Sequence, residues 1–318
     1  MLNNEFDSAG SSLGDVYWTE EGSMSLLGRG KFSVVHRTKR KADNLPVALK
    51  TIQVHPCEIA ALWPLTYHRS SQLYRWSRPQ VFEMASRERN ECINEIQLLQ
   101  QMQHPHIIRY LDCKMERNEL TVVMELAGQG DLARFIAAAA KAGTQLGEVR
   151  AWEYFAQIAD ALAYMHERRV MHRDVKPANV FISTGGDGTT VMKLGDLGLG
   201  RYFSSKTDVT HSTVGTPYYM SPECIQGGGY EFRSDIWSLG CLLYELATLR
   251  SPFYSDGLNF YMLGKRIMAR QFDPIGNVSA ALVSCIDRML QINPADRPSA
   301  AEAYALALAS MQGGAGAG

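Results

Sequence analysis

The sequence predicts an α+β protein in which a small β-rich region precedes a larger, mainly helical region. Residues 24–53 alternate apolar and polar side chains around a glycine-containing turn, which predicts a three-strand antiparallel meander. From residue 131 onward, apolar residues recur mainly at helical spacing. With 318 residues, of which 46% are apolar, the chain can bury a core large enough for both regions.

The other elements follow from periodicity in chain order. Residues 86–103 are predicted to be helical, because the apolar residues from Ile93 to Met102 fall on one stripe. Strands are predicted at 107–113 and 119–126, and helices at 131–141, 148–168, 234–249, 258–268, 279–289 and 299–310. The predicted domains are an N-terminal lobe over 23–127 and a C-terminal lobe over 128–310, with flexible tails at 1–22 and 311–318.

Composition narrows the class of protein. The net charge of −1 gives no electrostatic reason to expect nucleic acid or an acidic membrane as a partner. The six cysteines are widely spaced without a CxxC pair, which is typical of free thiols in a reducing compartment. The polar start of the chain does not have the pattern of a signal peptide. These features predict a soluble, cytoplasmic protein.

The most informative motif is HRDVKPAN at 172–179, with DLG a short distance downstream. Phosphoryl transfer from ATP needs a group that orients the attacking hydroxyl, a cation for the γ-phosphate and oxygen ligands for Mg²⁺. Asp174 fits the first role and Lys176 the second. Asn179 and Asp196 fit the third. The spacing resembles the catalytic loop of protein kinases, and Lys followed by PAN resembles their serine/threonine class.

A glycine-containing turn precedes these residues, in LLGRGKFSVV at 26–35. Gly28 and Gly30 lie between two predicted strands, where backbone N–H groups can close over phosphates without a Cβ clash. Ser33 stands where a third glycine is usual in such loops. An ordinary hairpin turn is the alternative interpretation of this segment.

Lys50 lies on the third predicted strand, in VALK. At this distance after a glycine-containing loop, it is predicted to contact the α- and β-phosphates of ATP and to pair with a helical glutamate. Glu91 and Glu95 are both possible partners. Glu95 fits better, because Leu99 one turn later can then pack inward.

The segment MELAGQGDL at 124–132 is predicted to bind the adenosine part of ATP. Met124 would border the pocket, the backbone of Glu125 and Ala127 would meet the adenine edge, and Asp131 would reach the ribose. The residues predicted to enclose the base are Leu27, Val35, Ala48 and Phe181. Ordinary core packing is the alternative role for these four apolar residues.

Two arginines predict a phosphate-dependent switch. Arg173 precedes the catalytic aspartate, and Arg201 follows Asp196 by five residues. If the two side chains converge on one loop, their positive charges repel each other unless an anion lies between them. A phosphate on the following loop would supply that anion. Ser212 is the best acceptor, with Thr213 and Thr210 as alternatives.

Further predictions concern the segment GTPYYMSPE and the helix after it. Thr216 matches the threonine of the peptide-facing loop in serine/threonine kinases. Asp235 is predicted to accept backbone N–H groups of the catalytic loop. Glu223 and Arg297 are predicted to form a buried ion pair with a structural role.

Longer stretches resemble the NIMA-related serine/threonine kinases, and most of all their short, catalytic-domain-only subgroup. The stretches are NEIQLLQQMQHPHIIRY, RRVMHRDVKPANVFI, LGDLGLGRYFSSKT and VGTPYYMSPE with SDIWSLGCLLYELATLRSPFY. The resemblance implies a bilobal protein kinase fold, mitotic and microtubule-linked roles, activation by a longer relative, and a cytoplasmic, spindle-associated or nuclear location. It also implies a stack of inward residues, formed by Leu99, Tyr110, Leu197 and His172.

Residues 54–80 depart from this resemblance, because removing them restores the spacing of the family. The segment is rich in tryptophan, tyrosine, proline and arginine and shows no clear period. It is interpreted as retained intron sequence, with a genuine lineage-specific loop as the alternative. The rival function is a catalytically impaired scaffold in which this insert disturbs the glutamate helix.

Overall fold

The computed structural model describes residues 13–20, 22–30, 33–53, 99–116, 119–196 and 217–314. They fall into two compact units. The sheet unit holds the described residues up to 101 together with 110–126. The helical unit holds 102–109 and the described residues from 127 onward.

Within the described residues, the sheet unit contains a five-stranded antiparallel sheet of order β1-β2-β3-β5-β4. The strands are β1 Ser25–Arg29, β2 Ser33–Lys39, β3 Pro46–Gln53, β4 Tyr110–Glu116 and β5 Glu119–Glu125. The predicted three-strand meander is therefore confirmed. The strand predicted at 107–113 begins instead at Tyr110.

The N-terminal segment differs from its prediction. The helix α1, Leu13–Val16, leads to Tyr17, which is only 3% exposed and packs with Val47, Leu49 and Val123. The prediction of a flexible tail over 1–22 was therefore wrong for residues 13–20, because their apolar side chains cover one face of the sheet. Residues 1–12 lie outside the described part of the chain.

The helical unit follows the predicted helices within a few residues. Its helices are α2 Leu132–Ala142, α3 Glu148–Glu167, α4 Pro222–Ile225, α5 Phe232–Thr248, α6 Phe260–Met268, α7 Ala280–Met289 and α8 Ala300–Gly314. The short helix α4 was not predicted, and α8 runs past the predicted start of the C-terminal tail at 311. No helix in the described ranges is long and apolar enough to cross a bilayer.

Local signals explain where these helices begin and end. Asp131 caps α2 by accepting a hydrogen bond from the Arg134 backbone N–H at 2.9 Å, and Gly143 ends the helix with φ 65°. At α5, Glu231 and Ser234 form a reciprocal capping box. Most residues of α5 are buried, including Asp235, so a carboxylate lies within the core of this unit.

A two-stranded hairpin interrupts the helical pattern that was predicted from residue 131 onward. Its strands are β6 Val180–Thr184 and β7 Thr190–Leu194. Their sequences, VFIST and TVMKL, place apolar residues side by side, so that strict alternation does not reveal them as strands. Residues 102–109 join this hairpin, since the Ile108 N–H donates to the Leu194 carbonyl at 2.8 Å. For that reason they belong to the helical unit, and not to the N-terminal lobe in which they were predicted.

Candidate active site

The β6–β7 hairpin brings two predicted metal ligands to the same end of the helical unit. Asn179 immediately precedes β6, and Asp196 follows β7 by two residues. The Gly195 N–H donates to the Asn179 carbonyl at 2.9 Å and holds the two segments together. The hairpin that the sequence did not predict is therefore the scaffold of this site.

The structure brings Asp174, Lys176 and Asn179 into one hydrogen-bonded group. Lys176 Nζ lies 2.7 Å from Asp174 Oδ2. Asn179 Nδ2 donates to the same carboxylate and to the Asp174 carbonyl, both at 2.8 Å. The Asp174 side chain stays 51% exposed, so its carboxylate is fixed in direction and still accessible to a substrate.

His172 lies fully buried beneath this group. Its Nε2 donates to the Gly195 carbonyl at 3.0 Å, and its Nδ1 accepts the Asp174 N–H at 3.3 Å. A single neutral tautomer satisfies both bonds. Burial lowers the pKa of His172, which agrees with a neutral ring. The imidazole thereby ties the catalytic loop to the segment that carries Asp196.

Asp235 holds the catalytic loop from below, as predicted. It accepts the backbone N–H groups of His172 at 2.9 Å and Arg173 at 2.8 Å. His166 Nε2 lies 2.8 Å from the same carboxylate, and the Tyr230 hydroxyl donates to it at 2.6 Å. Burial raises the pKa of Asp235, but the bond and charge of His166 outweigh it, so the pKa lies below its usual value. Sequence reasoning missed His166 and Tyr230.

Two backbone conformations at the site are costly. Arg173 has φ 70° and Asp196 has φ 56°, in the left-handed region that residues with a Cβ seldom adopt. Such conformations persist where the surroundings over-determine them, which is common at functional sites. Here the bond from Arg173 to Asp235 supplies such a restraint.

Gly195 is required by close packing. A Cβ there would lie 2.8 Å from Ile108 Cγ1 and 2.9 Å from Phe181 Cε2. We expect Gly195→Ala to reduce the free energy of unfolding by about 1–3 kcal/mol, as overpacked sites do. Urea unfolding measures this. The matched control is Gly186→Ala in the same hairpin, where a Cβ meets nothing within 4 Å. Equal stability of the two variants would contradict the packing argument.

The predicted nucleotide residues of the sheet unit share one face of the sheet. Val35 and Val122 both pair with Lys50 across neighbouring strands, and Ala48 pairs with Met124. Directly opposed residues project to the same face, and so do residues two apart on one strand. All five therefore lie on one side. Val122 was missed, although its position two residues before Met124 could have revealed it.

The glycine-containing turn joins β1 to β2 at this sheet. Gly28 pairs with Val35, and the Gly30 N–H donates to the Ser33 carbonyl at 2.7 Å. The register shifts between Leu26 and Gly28, so Leu27 lies at a bulge and is 39% exposed. Its contact with a base stays a prediction.

The structure locates the other residues that are predicted to bind the nucleotide, and their contacts with it stay predictions. Asp131 is the N-cap of α2, and its carboxylate also lies 3.2 Å from Arg134 Nε. A ribose hydroxyl would therefore bind to a carboxylate that already contacts the backbone N–H and the side chain of Arg134. Phe181 lies on β6 opposite Asp131. Glu125 ends β5, and Ala127 lies two residues after it. Predicted site residues outside the described ranges are Glu91, Glu95, Leu197, Arg201, Thr210, Ser212, Thr213 and Thr216, together with the insert 54–80.

The ion pair predicted between Glu223 and Arg297 is present. The guanidinium donates to both carboxylate oxygens at 2.8 and 2.7 Å, and the Arg297 side chain is fully buried. Ser234 adds a bond to the same carboxylate at 2.6 Å. The pair joins α4, α5 and the segment before α8. Of the predicted inward stack, Leu99, Tyr110 and His172 are buried; the first two belong to the sheet unit and His172 belongs to the helical unit.

Residues 79–307 match the family model described as the protein kinase domain. The chain belongs to the protein kinase family. The predicted α+β protein kinase fold is therefore confirmed. The matched range of this kinase begins at the second-last residue of the predicted insert, and the nature of 54–80 stays a prediction.

Named relatives agree with the resemblance to NIMA-related kinases. The kinase is 38% identical over 277 residues to human serine/threonine-protein kinase Nek5, covering 87% of this chain and 34% of that protein. It is 35% identical over 278 residues to the probable serine/threonine-protein kinase nek3 of Dictyostelium discoideum, covering 87% and 22%. The probable kinase nek2 of the same organism is 33% identical over 285 residues, covering 88% and 60%.

The resemblance to the NIMA-related group is thus confirmed. The kinase spans between 22% and 60% of the length of these three relatives. Its assignment to the short subgroup stays a prediction.

The oxygen donors at the hairpin fit Mg²⁺. Asn179 and Asp196 offer an amide and a carboxylate oxygen, which are hard ligands of the kind this ion prefers. Within the described residues no three His, Cys, Asp or Glu side chains could hold a metal ion. Mg²⁺ commonly takes one or two protein ligands and completes its shell with phosphates and water. Protein kinases in general use ATP and Mg²⁺, and this donor set suits that combination.

Proposed function

We propose that this chain transfers the γ-phosphate of ATP to serine or threonine hydroxyls of protein substrates. The observation that carries the proposal is the group formed by Asp174, Lys176 and Asn179, with its bonds of 2.7 and 2.8 Å. The group supplies an accessible base, a cation and a metal ligand within six consecutive residues. The relatives' names include serine/threonine kinase, which supports the same acceptor class.

The chain's own residues divide the work of this reaction. The Asp174 carboxylate would orient the substrate hydroxyl and take its proton. The Lys176 ammonium, held beside that carboxylate, would pair with the γ-phosphate. Lys50 would contact the α- and β-phosphates from the sheet. Mg²⁺ held by Asn179 and Asp196 would neutralise charge on the phosphates.

The rival proposal is a catalytically impaired scaffold. The intact group of Asp174, Lys176 and Asn179 argues against it, because the base, the cation and a metal ligand that the reaction needs are all present. Autophosphorylation of the whole chain, compared with a chain lacking 54–80, separates the two functions. We expect the deletion to raise both activity and solubility. A deletion that lowers activity would show that the segment is an evolved part of the kinase.

Replacing the second metal ligand tests the site assignment. We expect Asp196→Asn to weaken binding of Mg²⁺-ATP by roughly tenfold or more, because a charged oxygen ligand becomes neutral. Isothermal titration with a non-hydrolysable ATP analogue measures this. Asp187→Asn is the matched control, since that aspartate only closes the hairpin turn with Thr189. Unchanged affinity in Asp196→Asn would refute the assignment.

The proposed switch rests on sequence, because Arg201 and Ser212 lie outside the described residues. Phosphate on Ser212 would neutralise the repulsion between Arg173 and Arg201 and order the loop. We expect Ser212→Ala to lower phosphorylation of a peptide substrate. Replacing both arginines should abolish the gain that phosphorylation of Ser212 gives. Equal activity of phosphorylated and unphosphorylated protein would exclude the switch.

The proposed setting is that of NIMA-related kinases. It includes protein substrates in the cytoplasm, at the spindle or in the nucleus, and activation by a longer NIMA-related kinase, with neither nucleic acid nor membrane as a partner. Imaging of the tagged full chain through the cell cycle tests the location.

A further inference from the structure

The strand β3 carries predicted nucleotide contacts on one face and core side chains on the other. Ala48 and Lys50 lie on the face that is predicted to meet ATP. Val47 and Leu49 alternate with them along the strand, so they project to the reverse face. There they are almost completely buried and form one cluster with Tyr17, called the Tyr17 cluster below. One strand therefore connects this aromatic ring to the predicted nucleotide contacts.

The strand β5 repeats the same arrangement. Val123 belongs to the Tyr17 cluster, and Met124, next in the chain, lies on the face that is predicted to meet ATP. Ala48 pairs with Met124, and Leu49 pairs with Val123, so the two faces share consecutive positions of one ladder. The Tyr17 cluster thus covers the reverse side of both strands that carry these contacts.

The backbone on both sides of Tyr17 is bonded to the end of β2 and the turn after it. The Trp18 N–H donates to the Lys39 carbonyl at 3.0 Å. The Lys41 N–H donates to the Val16 carbonyl at 2.8 Å. Because these backbone groups are paired, the segment that carries the ring has a defined position on the sheet.

We propose that Tyr17 is a positioning residue for ATP binding, which rests on the proposed kinase function. Its ring holds β3 and β5 from the reverse side, so that Lys50 and Met124 keep the positions in which they meet the nucleotide. Interiors are close-packed, and removal of a buried ring leaves a cavity into which neighbouring strands partly relax. The residues of the Tyr17 cluster belong to the sheet unit, whereas Asp174 and Lys176 belong to the helical unit. The restraint therefore acts on ATP binding and not on the transfer step.

Steady-state kinetics separate positioning from a purely structural role. We expect Tyr17→Ala to raise KM for ATP by roughly fivefold or more and to change kcat by less than about twofold, because it displaces groups that bind the nucleotide before the reaction. A purely structural role would lower the amount of folded kinase, and with it the apparent kcat, at an unchanged KM. That second pattern would overturn the proposal.

Variants of the same segment assign the effect to the buried ring. Tyr17→Phe keeps the ring and should keep KM for ATP near the wild-type value. Trp18→Ala is the matched control, because that neighbouring ring is 40% exposed and lies outside the Tyr17 cluster. A rise in KM in Trp18→Ala as large as that in Tyr17→Ala would overturn the proposal. If Tyr17→Ala does not fold, Tyr17→Leu keeps an apolar side chain and should show a smaller rise in KM.

Binding without catalysis separates this proposal from the kinase function. In isothermal titration, Tyr17→Ala should bind a non-hydrolysable ATP analogue more weakly than wild type. In a Lys50→Ala background this loss should shrink, because the ring acts through the strand that carries Lys50. Full additivity of the two substitutions would overturn the proposal. A wild-type chain that binds no ATP analogue would overturn the kinase function as well, whereas equal affinities of wild type and Tyr17→Ala would overturn this proposal alone.

Discussion

Asp174→Asn is expected to reduce turnover by about 10²–10⁴-fold, the usual worth of a positioned acid–base group. The asparagine keeps the shape of the side chain and an oxygen that can accept the bond from Asn179. It loses the charge that pairs with Lys176 and the ability to take the hydroxyl proton. Steady-state kinetics with a serine peptide should therefore show a lower kcat and a nearly unchanged KM for ATP.

The control for this substitution is Asp256→Asn, at an exposed aspartate that accepts a bond from the Tyr254 hydroxyl. It should leave kcat unchanged. Thermal unfolding of both variants excludes a loss of fold as the cause. Wild-type turnover in Asp174→Asn would remove Asp174 from the reaction, whereas a large rise in KM for ATP would place it at the nucleotide.

The catalytic loop could be predicted from the sequence because its contacts are local. Asp174, Lys176 and Asn179 lie within six residues, so a fixed spacing in the chain defines their geometry. The sheet face could be predicted for a similar reason, since alternation along β3 places Ala48 and Lys50 on one side.

Two of the parts that were missed depend on contacts between distant segments. His166 reaches Asp235 from 69 positions away, so no local pattern connects that pair. Tyr17 was placed in a tail because the segment around it is polar and short, although it packs on β3. The strands of the β6–β7 hairpin, VFIST and TVMKL, contain consecutive apolar residues instead of strict alternation, and periodicity alone does not identify such runs as strands.

Breaking the Glu223–Arg297 pair is expected to have the largest effect on stability. Arg297→Met should reduce the free energy of unfolding by about 3–5 kcal/mol, because it leaves a buried carboxylate with Ser234 as its remaining side-chain donor. It also removes donors to the carbonyls of Gln291 and Arg233. Urea unfolding near neutral pH measures the loss. Arg288→Met, on the exposed side of α7, is the control.

The pH dependence of stability gives this prediction a second readout. Burial raises the pKa of Glu223, but the bonds from Arg297 and Ser234 outweigh it, so the folded pKa lies below the unfolded value of about 4.3. The pair therefore stabilises the fold above that pH, and its contribution is lost as pH falls through the folded pKa. In Arg297→Met this part of the acid sensitivity should disappear. Adding Glu223→Gln should recover part of the loss, since the buried charge is then gone. If the double variant is as unstable as the sum of the two single variants, the pair is not coupled and the lost carbonyl bonds of Arg297 account for the effect.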